Sequence, residues 1–291
     1  MSTKKVEAIF PPPAPHMVGD GFRVHNFVPG YQMLNMQRMS PFIMMDYNSR
    51  ISFPPKETPR GVGVHPHRGF ETVTIAYKGK VAHHDSTGNS GVIGEGDVQW
   101  MTAASGVLHK EYHEASFSKT GGDFQMVQLW VNLPADKKMS APGYQAITHS
   151  EMGVYDLGSG KGKIEIIAGE YKGVKGPAKT FTPVNMMNAR IEAGTEVGFS
   201  FPENFNTVVL VVEGHAEIGG NDLPLDHLAL MANAGEEFTL KALESSTVLI
   251  LSGEPIHEPI VAYGPFVMNT KAEILQAYDD LNKGKFGTLE D

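Results

Sequence analysis

The chain has 291 residues, of which 41% are hydrophobic, enough for about two domains of ~150 residues with buried cores. Its 33 Asp and Glu residues outnumber its 24 Lys and Arg residues, and the net charge of -9 argues against direct binding to nucleic-acid phosphates. The lack of cysteine excludes disulfides, thiolate nucleophiles and zinc fingers, so any metal must be held by nitrogen and oxygen ligands.

The amino-terminal segment carries no clear targeting or membrane signal. In MSTKKVEAIFPPPAPHMVGD, three consecutive prolines interrupt the apolar run before it could form the core of a signal peptide. No uninterrupted apolar stretch approaches the ~18 residues that a membrane-spanning helix needs. We therefore expect a cytoplasmic protein that does not contact a membrane.

Short apolar runs rich in Val, Ile and Thr, separated by Gly and Pro, predict many β-strands joined by turns. The clearest runs are ETVTIAY (71–77), DFQMVQLWVNL (123–133), KIEIIAGEY (163–171), TVVLVVEG (207–214), EEFTLKA (236–242) and STVLILSG (246–253). Helical periodicity is convincing only in TKAEILQAYDDL (270–281), where Thr270 is a candidate N-cap. This pattern predicts an all-β protein with a C-terminal α-helix.

The polar segment LPADKKMSAPGYQAI, residues 133–147, contains two prolines and a glycine and is the best candidate for an interdomain connection. Strands separated by glycine-containing turns lie on both sides of it, which indicates a weak internal repeat. We expect two antiparallel β-sandwich or barrel domains of the jelly-roll or cupin type. The predicted domains are residues 1–140 and residues 141–291, the second of which ends in the helix.

Six of the 12 histidines lie between residues 65 and 113. In GVGVHPHRGFETVT (61–74), His65 and His67 are two positions apart, so in a strand both imidazoles project from the same face. Two imidazoles side by side make half of a metal site. Glu71 has the same parity and would lie on their side if the strand continues without a bulge.

A second cluster, SGVLHKEYHE (105–114), places His109, Glu111 and His113 at the same two-residue spacing. If its strand lies beside the first one, two histidines meet a histidine and a carboxylate at one point. Strand parity alone does not choose between Glu71 and Glu111 as the carboxylate. The matched parity of the two clusters predicts a metal site with three histidines and one carboxylate.

The segments HPHRGFETVT and GDVQWMTAASGVLHKE resemble the two metal motifs of the pirin family in the cupin superfamily. The segments QLWVNLP and GEPIHEPIVAYGPFVMNT are also similar to pirins, and the likeness runs from about Pro41 to the C-terminal helix. It implies a bicupin, two facing antiparallel barrels whose N-terminal member binds one metal ion. By similarity the ligands are His65, His67, His109 and Glu111.

The resemblance implies Fe(II) as the first choice of metal, although the nitrogen and oxygen ligands also suit Ni, Mn, Co, Zn or Cu. Four protein ligands leave coordination positions open, which favours catalysis over a structural metal. Glu71 becomes a candidate partner that orients a ligating histidine. The second domain lacks a His-x-His pair, and we expect no metal there.

Some pirins act as quercetin 2,3-dioxygenases, so the resemblance implies a phenolic or flavonol substrate, O2 as co-substrate, and Glu111 as the base that accepts the substrate proton. Two alternatives stay open at this point. One is a metal-dependent regulatory pirin that binds a protein partner without catalysis, and the other is a cupin dioxygenase that acts on another phenolic compound. We expect a monomer.

The other histidines carry weaker expectations. His83 and His84 lie in VAHHDSTG, which is typical of a polar loop. His113 is expected to be an exposed residue at a strand end. Trp100 and Met101 are expected in the core.

Overall fold

The computed structural model describes residues 2–290, and most of its regular structure is β-strand. The strands in the first half are β1 Val6–Phe10, β2 His16–Val18, β3 Phe22–Val28, β4 Phe42–Phe53, β5 Gly61–His67, β6 Phe70–Lys78, β7 Val81–Asp85, β8 Ser90–Ile93, β9 Val98–Thr102, β10 Val107–His113, β11 Gly122–Asn132 and β12 Gly143–Ile147. Those in the second half are β13 Gly153–Asp156, β14 Gly162–Ala168, β15 Glu170–Tyr171, β16 Val174–Lys175, β17 Val184–Ile191, β18 Glu196–Ser200, β19 Asn206–Glu213, β20 Ala216–Ile218, β21 Asn221–Leu223, β22 Leu228–Met231, β23 Glu237–Ala242, β24 Ser246–Gly253, β25 Val261–Tyr263 and β26 Phe266–Met268.

The helices are α1 Met36–Met39, α2 Ala115–Thr120 and α3 Lys271–Asn282, with single 3₁₀ turns at Gln32–Leu34 and His149–Glu151. Helix α3 begins where the sequence predicts, because Thr270 and Glu273 form a reciprocal capping box at its N-terminus. In the described part of the chain no helix has both the length and the apolar character needed to cross a bilayer, and the longest, α3, has 12 residues.

The described chain forms two compact units. The first unit comprises residues 14–149 and 256–290, and the second comprises residues 2–13 and 150–255. This grouping differs from a single cut at residue 140, because each unit takes in a terminal segment from the other half of the sequence. The change of unit falls just after strand β12, so residues 143–147 of the expected connection belong to a sheet of the first unit.

The first unit is built from two antiparallel sheets and a small hairpin. The larger sheet has seven strands in the order β12-β9-β6-β11-β4-β3-β2, and the smaller has four in the order β5-β10-β7-β8. Strands β25 and β26 form the hairpin that leads into α3. Apolar residues from both sheets, including Phe22, Phe124 and Ile93, form a buried core between them.

The second unit repeats this plan. Its larger sheet has the order β1-β22-β19-β24-β17-β14-β13 and its smaller sheet the order β18-β23-β20-β21. The two strand orders match position for position, with β18 and β23 in the places of β5 and β10. The predicted all-β fold, with two antiparallel cupin-like barrels and a C-terminal helix, is therefore confirmed.

Candidate metal centre

Strands β5 and β10 pair antiparallel at one edge of the smaller sheet of the first unit. His65 lies directly opposite His109 in this ladder, and His67 lies opposite Val107. Along β10, residues 107, 109, 111 and 113 are buried while the residues between them are half-buried. The alternation expected from the sequence thus brings the two histidine clusters onto one inner face.

The three histidines form a compact group. The ring centroids lie 4.2 Å apart for His65 and His109, 4.7 Å for His67 and His109, and 4.9 Å for His65 and His67. One ring nitrogen of each residue lies within 4.8 Å of a ring nitrogen of each of the other two. Such spacing allows all three imidazoles to bind a single ion.

The protonation and bonding of these rings fit a metal ion. His65 donates from Nδ1 to the carbonyl of Gly63 at 2.8 Å, which leaves Nε2 with its lone pair. Within residues 2–290, His67 Nδ1 and both ring nitrogens of His109 are buried without a hydrogen-bond partner. Burial lowers the pKa of His67 and of His109 well below the usual value, so both rings are neutral and able to act as ligands.

Glu111 lies on the wall of the same cavity as His65 and His67. Its carboxylate accepts hydrogen bonds from Gln128 Nε2 at 2.9 Å and 3.2 Å. Burial raises its pKa, an effect that the neighbouring His65 and the Gln128 donor oppose. Glu111 is not part of the group whose ligand atoms all lie within 4.8 Å of one another, which contains only the three histidines.

Glu71 occupies a different environment from that of the histidines. Strand β5 ends at His67, a turn through Gly69 with φ of +92° follows, and Glu71 belongs to β6 in the other sheet. It accepts a hydrogen bond from Thr102 Oγ1 at 2.7 Å, and burial raises its pKa to about 7. The parity argument that placed Glu71 beside the histidines required an unbroken strand, and this condition is not met.

The C-terminal segment holds the turn that follows His67. Arg68 Nη1 lies 2.9 Å from Asp280 Oδ2 on α3, and both side chains are at least nine-tenths buried. Lys138 Nζ donates to the carbonyls of Gly69 at 2.7 Å and Val267 at 2.9 Å. Residues distant in sequence therefore fix the end of the strand that carries two of the three histidines.

A cavity of about 280 Å³ opens onto the histidine group. It is lined by Val18, Phe22, Val24, Met44, Asp46, Val62, His65, His67, Glu111, Met126, Gln128 and Trp130. Most of this wall is apolar, and its polar residues are Asp46, His65, His67, Glu111 and Gln128. An apolar pocket with a few placed polar groups is typical of a small-molecule site.

Three histidines, His83, His84 and His113, lie in places that the sequence did not predict. His83 and His84 are in strand β7 rather than a loop. His83 lies opposite Glu111 in the ladder and stacks on Tyr144 with ring centroids 4.6 Å apart. Burial lowers the pKa of His83 to about 4. His113 is fully buried among Phe22, Phe53, Phe117 and Phe124, so the expectation of an exposed residue was wrong.

Asp46 and Gln128 were also missed by the sequence analysis. Each is a polar residue inside an apolar strand, in FIMMDYN and QMVQLWV respectively. A lone polar side chain in such a strand is a signal for a cavity or a buried network, but it belongs to no motif. Trp100 and Met101 are buried, as expected.

The equivalent strands of the second unit have a different chemistry. Phe199 of β18 lies opposite Phe238 of β23, and Val197 lies opposite Leu240. All four side chains are buried in the apolar core of that unit. Buried opposed pairs in β18 and β23 are thus apolar, whereas the corresponding strands β5 and β10 carry histidines.

Comparisons with known proteins agree with this architecture. The family described as "Pirin" matches residues 21–131, and the "Pirin C-terminal cupin domain" matches residues 186–287. A Pseudomonas aeruginosa protein provisionally named a quercetin 2,3-dioxygenase is 45% identical over 283 residues, covering 97% of this chain and 98% of that protein.

Two solved structures show the same fold. The crystal structure of a quercetin 2,3-dioxygenase from Acinetobacter baumannii superposes with a TM-score of 0.93 at 46% identity and covers 99% of this chain and 100% of that one. A bacterial pirin from Escherichia coli, solved in complex with nickel(II), has a TM-score of 0.64 at 17% identity and covers 86% of this chain and 100% of its own. The two family matches and the extent of the likeness show that this chain belongs to the pirin family.

Proposed function

We propose that the chain is a metal-dependent dioxygenase of the quercetin 2,3-dioxygenase type, which opens the central ring of a flavonol with O2. The observation that carries the proposal is the group of three histidines, two with unpaired buried nitrogens, at the wall of an apolar cavity. The names of the Pseudomonas and Acinetobacter proteins support the same activity.

In this proposal His65, His67 and His109 hold the metal together with Glu111. Three neutral imidazoles and one carboxylate around a divalent ion leave a net charge of +1, which suits an anionic phenolate. A bound divalent ion, Fe(II) as the first choice, supplies Lewis acidity that lowers the pKa of a hydroxyl group.

In this proposal Glu111 takes up the proton of that hydroxyl. Burial raises the affinity of its carboxylate for a proton, and Gln128 fixes the orientation of both oxygens. Trp130, Phe22 and Met44 supply apolar walls that accept the flat rings of a flavonol and exclude water from them.

The test uses protein stripped of metal, loaded anaerobically with Fe(II) and then mixed with quercetin and oxygenated buffer. We expect loss of flavonol absorbance with one O2 consumed per flavonol. His109→Ala should abolish both signals, whereas His215→Ala, which changes a histidine of the second unit paired with Asp222, should leave them intact.

Metal analysis of protein purified without added metal complements this assay. A protein that holds one equivalent of metal yet consumes no flavonol or other phenol would contradict the proposed dioxygenase activity. It would instead support the alternative, a metal-dependent binding protein. A protein that holds no metal after loading would contradict the metal site itself.

A further inference from the structure

A row of polar side chains crosses the larger sheet of the first unit beneath Glu111. In consecutive strands, each member lies directly opposite the next. The members are Asn26 on β3, Asp46 on β4, Gln128 on β11, Thr74 on β6 and Gln99 on β9. Directly opposed residues of antiparallel strands share a face, and the Gln128 contact with Glu111 identifies it as the cavity face.

The row is held in place at its outer end. Asn26 Nδ2 donates to Asp46 Oδ1 at 2.6 Å and to the carbonyl of Val28 at 3.0 Å. The Asn26 side chain is therefore fixed by its own strand and in turn orients the carboxylate. Asp46 is thus a pre-oriented acceptor rather than a mobile surface charge.

Asp46 lines the cavity together with the apolar Val24 and Met44, which flank it on the wall. Among residues 2–290, its Oδ2 receives no hydrogen bond, and Asn26 alone donates to Oδ1. Burial raises the pKa of Asp46, although the hydrogen bond from Asn26 and the nearby His16 act to lower it. A half-buried carboxylate with unused acceptor positions in an apolar wall is stabilised by a ligand that brings a donor.

We propose that Asp46 is a specificity-determining residue that accepts a hydrogen bond from a second hydroxyl group of the phenolic substrate, apart from the hydroxyl that faces Glu111. This inference rests on the proposed function and narrows its substrate class. The preferred substrate is an aromatic compound with two hydroxyl groups at separate places on the molecule. A compound without the second hydroxyl covers the Asp46 carboxylate and leaves its Oδ2 without a donor, and is discriminated against.

The test compares quercetin, which carries several hydroxyl groups, with 3-hydroxyflavone, the flavonol whose single hydroxyl group is the one that faces Glu111. Dissociation constants are measured by quenching of tryptophan fluorescence in metal-loaded protein without oxygen, since Trp130 lines the cavity. The ratio of kcat/KM for the two flavonols is then measured with oxygen. Asp46→Asn is compared with Asp136→Asn, an exposed aspartate paired with Lys137.

We expect the wild-type protein and Asp136→Asn to bind quercetin at least about tenfold more tightly than 3-hydroxyflavone. In Asp46→Asn this preference should fall to within about threefold, because the amide presents a donor where the carboxylate presented an acceptor. Asp46→Leu, which removes every acceptor, should show the same loss. Circular dichroism spectra of the variants check that the fold is retained.

The outcomes separate this inference from the proposed function. A preference for quercetin that depends on Asp46 without oxygen, in a protein that turns over neither flavonol, supports the recognition and contradicts only the dioxygenase. Turnover with a preference that both Asp46 variants retain overturns the role of Asp46, as does a wild-type protein without a preference. If neither flavonol binds, both proposals fail.

Discussion

His65 and His109 face each other across the β5–β10 ladder, and their ring centroids are 4.2 Å apart. Two protonated imidazoles at this distance repel each other, so the pair is stable only when at least one ring is neutral or when both share a cation. The third ring, that of His67, lies 4.7 Å from His109 and adds to the same requirement. The pairing of β5 with β10 thus brings together the three rings that we propose as metal ligands.

Replacing a single ligand should remove the metal and keep the fold. His67→Ala deletes one of the three nitrogens, and we expect metal affinity to fall by more than the 10- to 100-fold that loss of an outer partner typically costs. The core of apolar strand faces does not depend on the ion, so the circular dichroism spectrum should be unchanged. Metal content after dialysis against a fixed free-metal buffer measures the effect.

His113→Ala is the matched control, because His113 lies on the same face of β10 but packs among aromatic rings instead of lining the cavity. We expect it to lower the free energy of unfolding by about 3 kcal/mol, the scale for truncating a large buried ring, while keeping the metal. Equal metal loss in both variants would contradict the distinction between the two histidines.

Glu111→Gln tests the proposed base. The amide keeps the size of the side chain but accepts no proton, so we expect kcat for flavonol consumption to fall by about 10²-fold or more. Glu71→Gln changes a buried carboxylate on the face of β6 opposite to that of Thr74. This variant should therefore consume flavonol at the wild-type rate. A Glu111→Gln protein with full turnover would remove Glu111 from this role.

The sequence predicted the local features of this fold well. Strand parity placed His65, His67 and His109 on inner faces, because that parity depends only on alternation along each strand. Thr270 and the apolar spacing behind it predicted α3, whose capping box is a contact between near neighbours. These features are encoded within a few residues of each other.

The predictions that failed concern residues whose positions depend on contacts between distant parts of the sequence. The turn through Gly69 carries the chain into another sheet, so Glu71 lies there. The Val267 carbonyl, nearly 200 residues away in the sequence, packs against Gly69 and leaves no room for a side chain at this position. His83 and His113 look polar in sequence, yet the sheets bury both. Asp46 and Gln128 meet only because β4 and β11 pair. No single segment contains that information.

Glu71 should give the protein a measurable pH dependence of stability. Burial raises its pKa from the ordinary value of 4.5 to about 7, so the folded state binds more protons than the unfolded state between these values. The resulting stabilisation is complete below about pH 4.5 and is lost as the pH rises through 7. Glu71→Gln removes this dependence and keeps an acceptor for Thr102.

We therefore expect the free energy of unfolding of Glu71→Gln, relative to that of wild type, to rise by on the order of 3 kcal/mol between pH 4.5 and pH 8, because only the wild type loses stability over this range. Urea titrations of metal-free protein at several pH values measure this difference and exclude the effect of metal release. A difference that does not change with pH would show that Glu71 titrates normally.

The buried ion pair between Arg68 and Asp280 should contribute more to the free energy of unfolding than the exposed pair between Asp279 and Lys283 on the same helix. Asp280→Asn leaves the Arg68 guanidinium buried without its counter-charge, which destabilises the fold. Asp279→Asn removes an exposed pair with Lys283 and should change the urea midpoint very little. Equal midpoints for the two variants would mean that the buried pair does not hold α3 against the turn after His67.

Gly69 provides the most direct test of how the fold positions the metal ligands. Its φ is +92°, and a Cβ there would lie 1.9 Å from the carbonyl oxygen of Val267. Gly88 has a similar φ of +88° but no atom within 4 Å of its Cβ position. Gly88→Ala should therefore cost only the backbone term of about 1–2 kcal/mol, whereas Gly69→Ala should cost about 1–3 kcal/mol more, since the chain must shift to relieve the collision. Because that shift moves the end of β5, Gly69→Ala should also weaken metal binding while Gly88→Ala does not. Urea unfolding and metal titration of the two variants measure both effects. Equal stability and equal metal affinity in the two variants would show that the β25–β26 hairpin shifts to accommodate the methyl group without disturbing His67.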